Sequence, residues 1–204
     1  INIVREESMY FMPQAMTKIM NEGWASFWHY KIMSEMDLPQ EFHLSFLKFH
    51  NQVLRPMVGK INPYHLGFTI FKWIEKNKGL EECFIARASH NDESFIRTYL
   101  NKDICEDLNL FSYSKKKKEW TIDDISDEDG WKQIRADLIK NVGLNSLPNI
   151  YIRELQKDQT LVLEHEHDGR DLDLDYAHNV CDHLLDLWGD DFKFYTIIEE
   201  EPFE

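Results

Sequence analysis

The clearest potential for chemistry lies in the segment from Asn21 to His29. Glu22 and His29 are seven residues apart, so on a helix they lie on nearly the same face, two turns from each other. A carboxylate and an imidazole on one face can bind a metal ion or act as acid and base. We assign Glu22 as a candidate metal ligand and His29 as a candidate catalytic residue. The alternative is a buried hydrogen-bonded pair in a helical core.

Two tryptophans and a glycine accompany this pair. Trp24 and Trp28 supply apolar bulk, whereas Gly23 costs a helix about 1 kcal/mol relative to alanine. That glycine is explained if another segment packs close to the helix backbone. No His-Glu-x-x-His pattern occurs in the sequence, and a zinc site normally needs a third protein ligand. Further ligands for zinc or another divalent metal would have to come from elsewhere.

Other acidic and histidine-containing segments give weaker signals. His165 and His167 alternate with acidic residues at strand spacing, which places both imidazoles on one face. They could hold a divalent ion, but we predict an exposed polar strand end. Three further acids lack the glycine and distal glutamate of a calcium loop, and they precede a helix whose dipole they complement. These acids are Asp171, Asp173 and Asp175.

Helical spacing of apolar residues dominates up to residue 105. Pro13 is predicted to divide the first helical segment into about 1–11 and 14–36, because proline breaks the backbone hydrogen-bond ladder. Asn62-Pro63 is typical of a helix start. One apolar stripe contains Phe42, Phe46, Phe49 and Val53.

Strand patterns appear after residue 105, and two helices interrupt them. The predicted order is ββαββαβ. An antiparallel sheet with both helices on one side would cover the apolar face of each helix. We therefore predict an α+β fold, with a helical domain at 1–105 and an acidic α+β domain at 106–204.

Charge divides unevenly between these predicted domains. Residues 1–105 hold 12 Lys+Arg and 12 Asp+Glu, whereas residues 106–204 hold 11 and 25, so the net charge of -14 lies entirely in the second domain. This acidity is typical of a solubilising surface, and it also suits a basic protein partner or loose cation binding. It argues against a general nucleic-acid binder, because polyanions would be repelled.

Composition excludes several other classes. The 43% of apolar and 13% of aromatic residues indicate a globular chain. No apolar stretch of about 18 residues exists to span a membrane, and no secretory signal is visible. Three cysteines without C-x-x-C spacing argue against a disulfide scaffold and favour a reducing, cytoplasmic location.

The sequence opens as the interior of a helix, without an initiator methionine or a cap. We therefore expect a piece of a longer protein, with some functional parts outside it. Segment 1–36 carries more apolar residues than one helical stripe needs. We predict that this surplus faces the missing N-terminal region and that the isolated chain self-associates through it.

Several motifs, taken in order, resemble the stage V sporulation protein R (SpoVR-like) family over nearly the whole chain. They include Arg5-Glu6-Glu7, Thr17-Lys18-Ile19-Met20-Asn21-Glu22-Gly23-Trp24-Ala25, Trp28-His29, Ile61-Asn62-Pro63-Tyr64, Leu66-Gly67, Ser94-Phe95-Ile96-Arg97, Tyr99-Leu100-Asn101-Lys102-Asp103 and Leu187-Trp188-Gly189. The resemblance implies a bacterial factor, and the uneven charge together with the lack of a complete catalytic set favours a regulatory or assembly role. That role would be in spore cortex formation, or in stress and stationary phase in bacteria that do not sporulate. It also implies an N-terminal part preceding this chain.

The Glu22-Gly23-Trp24-Ala25 segment is also similar to a helix of gluzincin-type metallopeptidases, whose glutamate is the third zinc ligand. This similarity implies that Glu22 is a ligand and that His29 is an outer-shell or acid/base residue. The other ligands would lie in the missing N-terminal region. The alternative function is therefore a divergent, zincin-like metal-dependent hydrolase acting on a peptide or peptidoglycan-related bond.

Overall fold

The computed structural model describes residues 2–57, 61–116, 119–125, 129–189 and 191–203. The chain divides into two compact units, residues 1–146 and 147–204. The predicted α+β class and the order ββαββαβ of the second half are confirmed, and one short strand follows at the end. The division lies after residue 146, whereas the change in charge and pattern lies at residue 105.

The first unit contains eight helices, one hairpin and a short 3-10 turn (Gly143–Ser146) among its described residues. These are α1 (Asn2–Met16), α2 (Lys18–Glu35), α3 (Gln40–Val53), α4 (Pro63–Lys78), α5 (Leu80–Ser89), α6 (Asp92–Tyr99), α7 (Lys102–Asp107), β1 (Phe111–Lys116), β2 (Glu119–Ile125) and α8 (Gly130–Lys140). The second unit contains β3 (Ile150–Leu155), β4 (Leu161–His165), α9 (Leu174–Trp188), β5 (Phe192–Ile198) and β6 (Glu201–Phe203).

Helix α8 explains why the first unit extends past residue 105. Its Ile134 and Leu138 are buried in the same core cluster as residues of α2, α4 and α6. The Arg135 guanidinium also donates a hydrogen bond of 3.2 Å to the Arg97 carbonyl at the end of α6. Burial of this apolar face therefore joins the element that follows the first hairpin to the helical part.

The centre of the first unit is the crossing of α2 and α4. A Cβ atom added to Gly23 would lie within 3.0 Å of backbone atoms of Gly67. Only glycine at both positions permits such a close approach of two helix backbones. The expectation that another segment packs against Gly23 is thus confirmed, and the segment is α4.

Helix α2 begins at Lys18 because a buried carboxylate from α6 receives its first N–H groups. The Asp92 side chain, 1% exposed, accepts hydrogen bonds of 2.9 Å from the backbone of Ile19 and Met20. The prediction that Pro13 divides this region is wrong, since Pro13 lies inside α1. The break falls at Thr17, where this long-range cap replaces the missing partners of the α2 backbone.

The apolar stripe predicted on α3 is only partly buried. Phe46 is 6% exposed, whereas Phe42, Phe49 and Val53 are 58%, 63% and 47% exposed. Helix α1 has no buried residue, although it carries several large apolar side chains. We call the exposed apolar residues of these two helices the apolar helix faces; they are Ile3, Val4, Met9, Tyr10 and Phe11 of α1 and Phe42, Leu44, Phe49 and Val53 of α3. Among the described residues, no helix combines the length and apolar character of a membrane span.

The strands of the described residues form two sheets, whereas one antiparallel sheet was predicted. Strands β1 and β2 pair only with each other, and the second sheet has the order β3-β4-β5-β6. In that sheet β4 and β5 are parallel, with Leu163 opposite Phe194. Helix α9 connects these two strands and forms the crossover that parallel neighbours need.

Candidate functional site

Glu22 lies half-buried on α2, beside the first turn of α4. The Tyr64 hydroxyl lies near its carboxylate, and the interaction with Glu22 is the main cause that raises the pKa of Tyr64. Tyr64 is placed by a local cap, since its backbone N–H donates to the Asn62 side chain at 3.0 Å. The Asn62-Pro63 helix start predicted from the sequence is therefore confirmed, and it positions the partner of Glu22.

His29 lies on the same helix but beside α3. The side chain is exposed, and its ring meets Phe46 edge-on, with centroids 5.3 Å apart. A second imidazole, that of His50, has its centroid 6.4 Å away. Seven residues correspond to a rise of about 10 Å along a helix. Glu22 and His29 therefore share α2 but contact different helices.

His50 was missed by the sequence-based analysis. It is 4% exposed and packs against Tyr30 and Phe68, with ring centroids 5.0 Å away in each case. Its Nε2 atom is buried without a hydrogen-bond partner. Burial lowers the pKa of His50, and the nearby His29 and Lys72 lower it further. The available signal was its place four residues after Phe46, on the buried side of the α3 stripe.

Trp24 and Trp28 belong to the core between α4 and α5. Trp24 lies edge-on to Phe71 and Phe84, at centroid distances of 5.3 and 5.2 Å, and Trp28 lies 5.6 Å from Phe84. The indole Nε1 of Trp28 is the other buried polar side-chain atom without a partner among the described residues. These rings hold α2 in place through packing against neighbouring helices.

The described residues contain no group of three or more histidine, cysteine or acidic side chains arranged to hold a metal ion. Glu22 and His29 thus do not form a metal site with a third side chain from this part of the chain. A metal bound there would need ligands from another segment, and the assignment of Glu22 as a ligand stays a prediction.

A second cluster lies in the sheet of the second unit, at the end of β4. His165 is 6% exposed and shares a hydrogen bond of 2.9 Å with the Thr196 hydroxyl on β5. The prediction of an exposed strand end is therefore wrong for His165, because the neighbouring parallel strand covers it. The rings of His165 and His167 lie 5.9 Å apart, so their placement on one side is confirmed.

These histidines line a cavity of about 610 Å³ within the second unit, which we call the β4 cleft. Its wall includes Glu164, which pairs with the Arg153 guanidinium at 3.3 Å. The Arg153 guanidinium also lies 5.7 Å from the centre of the Tyr195 ring. Glu166 is an exposed carboxylate on the same wall. The β4 cleft thus combines carboxylates with aromatic rings.

Both units match known protein families. Residues 1–147 match the family described as SpoVR like protein, and residues 148–198 match the SpoVR-like C-terminal domain. The chain belongs to the SpoVR-like family. The boundary between the two matches nearly coincides with the division between the two compact units. The resemblance inferred from the sequence motifs is confirmed.

A relative extends this comparison. The chain is 32% identical, over 225 residues, to a protein of Escherichia coli (strain K12) described as uncharacterized protein YcgB. The similarity covers 94% of this chain and 44% of the relative, so the SpoVR-like chain spans less than half of that protein's length. No solved structure matches the chain.

Proposed function

We propose that this SpoVR-like chain belongs to a bacterial cytoplasmic factor with a regulatory or assembly role. The factor acts in spore cortex formation in endospore formers and in stress response in other bacteria. The observation that carries the regulatory role is the charge of the second unit. Residues 147–204 hold 4 Lys+Arg and 16 Asp+Glu, which is a net charge of -12 out of -14. Such a field attracts basic proteins and repels nucleic acids.

The β4 cleft is the recognition site of this interaction module. Glu166 has an exposed carboxylate that also accepts a hydrogen bond from the Asn149 amide, and the Arg153 guanidinium on the Tyr195 ring is an example of the cation that this wall attracts. Carboxylates bind ammonium and guanidinium groups, and aromatic faces attract the same cations. We expect the cleft to take a lysine or arginine side chain of a protein partner.

Complementation of a strain that lacks the gene tests this proposal. The full-length protein with Glu164→Gln and Glu166→Gln is expected to fail in restoring the cortex, or survival in stationary phase where the host does not sporulate. A matched control carries Asp182→Asn and Asp186→Asn, which remove the same charge from exposed positions of α9. Equal activity of the two double variants would contradict a role for the cleft.

The apolar helix faces support a further part of this proposal, a contact with the missing N-terminal region. Ile3, Phe42 and Phe49 are 80%, 58% and 63% exposed, and the relative is more than twice as long as the part matched here. Large exposed apolar patches mark interaction sites. The isolated chain is expected to self-associate, and the full-length protein to do so less. A monomeric sedimentation profile of the isolated chain at high concentration would contradict this.

The alternative function is a divergent, zincin-like metal-dependent hydrolase with part of its site in the missing N-terminal region. The placement of the Tyr64 hydroxyl near Glu22 favours it, because polar groups beside a metal-binding carboxylate can orient that carboxylate. Metal analysis of the full-length protein distinguishes the two functions. The hydrolase requires stoichiometric zinc or another divalent metal that Glu22→Gln removes. A metal-free protein after gentle purification would exclude it.

A further inference from the structure

His50 presents a polar atom that the fold of the first unit does not use. The side chain is 4% exposed, and its Nε2 atom has no hydrogen-bond partner. Buried polar atoms are rarely left unpaired, and an unpaired one often marks a bound water, an ion or a functional role. The aromatic rings of Tyr30, Phe46 and Phe68 surround this imidazole and fix its orientation.

A second imidazole lies next to it. The His29 ring centroid is 6.4 Å from that of His50, and the two residues come from different helices, α2 and α3. A zinc–nitrogen bond is about 2 Å long, so two imidazoles on one ion have ring centroids about 5 to 6 Å apart. Because His29 is exposed, a small change of its side-chain rotamer can close the difference.

Burial of His50 favours the uncharged form of its imidazole, which is the form that binds metals. Burial, His29 and Lys72 lower the pKa of His50. The Lys72 ammonium, 5.5 Å from the centre of the Phe68 ring, opposes a bound cation as it opposes a proton, so the two imidazoles must supply the attraction. Only the neutral imidazole has a free electron pair for a metal ion.

We propose that His29 and His50 form a binding site for a divalent transition metal ion that favours imidazole, such as Zn²⁺, Ni²⁺ or Cu²⁺. Among the described residues no third side chain joins the pair, so water or a further segment fills the remaining coordination positions. This site goes beyond the regulatory function and does not rest on it. It also differs from the hydrolase alternative, which uses Glu22 as the ligand.

Titration of the chain with zinc chloride, followed by calorimetry and by the NMR signals of the histidine rings, tests the site. We expect one equivalent of zinc to bind and to shift the signals of His29 and His50. Loss of an outer-shell partner already lowers metal affinity about 10- to 100-fold, so loss of either imidazole is expected to cost at least tenfold. The first variant is His29→Ala, which changes an exposed residue. The second is His50→Phe, which retains an aromatic ring between Tyr30, Phe46 and Phe68.

Two further variants make the result specific. His90→Gln is a matched control, because that ring contacts Tyr99 and Ser89, outside the proposed site. Glu22→Gln distinguishes this site from a zincin-like one, because a loss of zinc affinity in that variant would assign the metal to Glu22 and overturn the proposal. Unchanged affinity in both His29→Ala and His50→Phe would overturn the proposal, as would the absence of zinc binding by the unmodified chain. Circular dichroism of each variant confirms that the helices are retained.

Discussion

The two units of this chain are stabilised by different means. The first unit has an extensive aromatic core, with Phe27, Phe71 and Phe95 at most 2% exposed. In the described part of the second unit only Val162 and Leu163 are buried apolar residues, and α9 buries none of its side chains. The second unit also carries a net charge of -12, against -2 in the first. A small core and strong self-repulsion predict that the second unit unfolds first.

The same contrast appears in the buried histidines. His165 in the second unit shares a hydrogen bond with Thr196, whereas His50 in the first has an unpaired Nε2 atom. A large apolar core can tolerate the free-energy cost of one unpaired atom, but a small unit cannot. The unpaired group therefore lies where packing provides stability to spare, which suits a ligand-binding role.

The largest expected effect is that of Gly67→Ala in the first unit. The added methyl group would meet the backbone of Ile19 and Gly23, which cannot move without separating α2 from α4. Overpacking costs about 1 to 3 kcal/mol, and a clash with backbone places this change at or above the upper end. Chemical denaturation measures the decrease in the free energy of unfolding. The control is Ala25→Gly, at an exposed position of α2. A loss below that of the control would show that the helices can separate cheaply.

A smaller loss is expected for Asp92→Asn. The two carboxylate oxygens of Asp92 accept one hydrogen bond each, from Ile19 and Met20. Asparagine has one acceptor oxygen, and its NH2 group cannot accept from the other backbone N–H, so one of the two hydrogen bonds is lost. The expected decrease in the free energy of unfolding is about 2 to 3 kcal/mol. Asp103→Asn, at an exposed acid of α7, is the control and should change little.

The pH dependence of the Asp92→Asn effect gives an independent check. Burial raises the pKa of Asp92 above 3.8, although hydrogen bonds from Ile19 and Met20 oppose the shift. Between pH 3.8 and the raised pKa, the folded protein therefore binds a proton more readily than the unfolded chain. The free energy of unfolding falls as pH rises through this range. The destabilisation by Asp92→Asn should be greatest below the ordinary value of 3.8 and decrease as pH rises through the raised pKa. The opposite trend would mean that the hydrogen bonds dominate.

The smallest effect is expected in the second unit, from Thr196→Val. Valine has the shape of threonine but cannot pair with the buried Nδ1 atom of His165. The expected loss is about 1 to 2 kcal/mol, confined to the transition of residues 147–204 if the units unfold separately. The control is Thr98→Val on the exposed surface of α6. A single shared transition for both units would contradict the comparison between them.

Local sequence signals determined much of the architecture. The Asn62-Pro63 cap, the order of helices and strands after residue 105, and the glycine at a close helix contact were all predictable, because each depends on residues close in the chain. The family motifs were readable for the same reason. The charge of the second unit is also a property of composition alone.

Contacts between distant residues decided the rest. Asp92 moved the helix break from Pro13 to Thr17, and the crossover of α9 made β4 and β5 parallel. The proximity of His50 to His29 arises only when α3 folds back on α2, and the burial of His165 only when β5 pairs with β4. Sequence spacing encodes the period of one element, whereas the neighbours of a side chain depend on packing between elements.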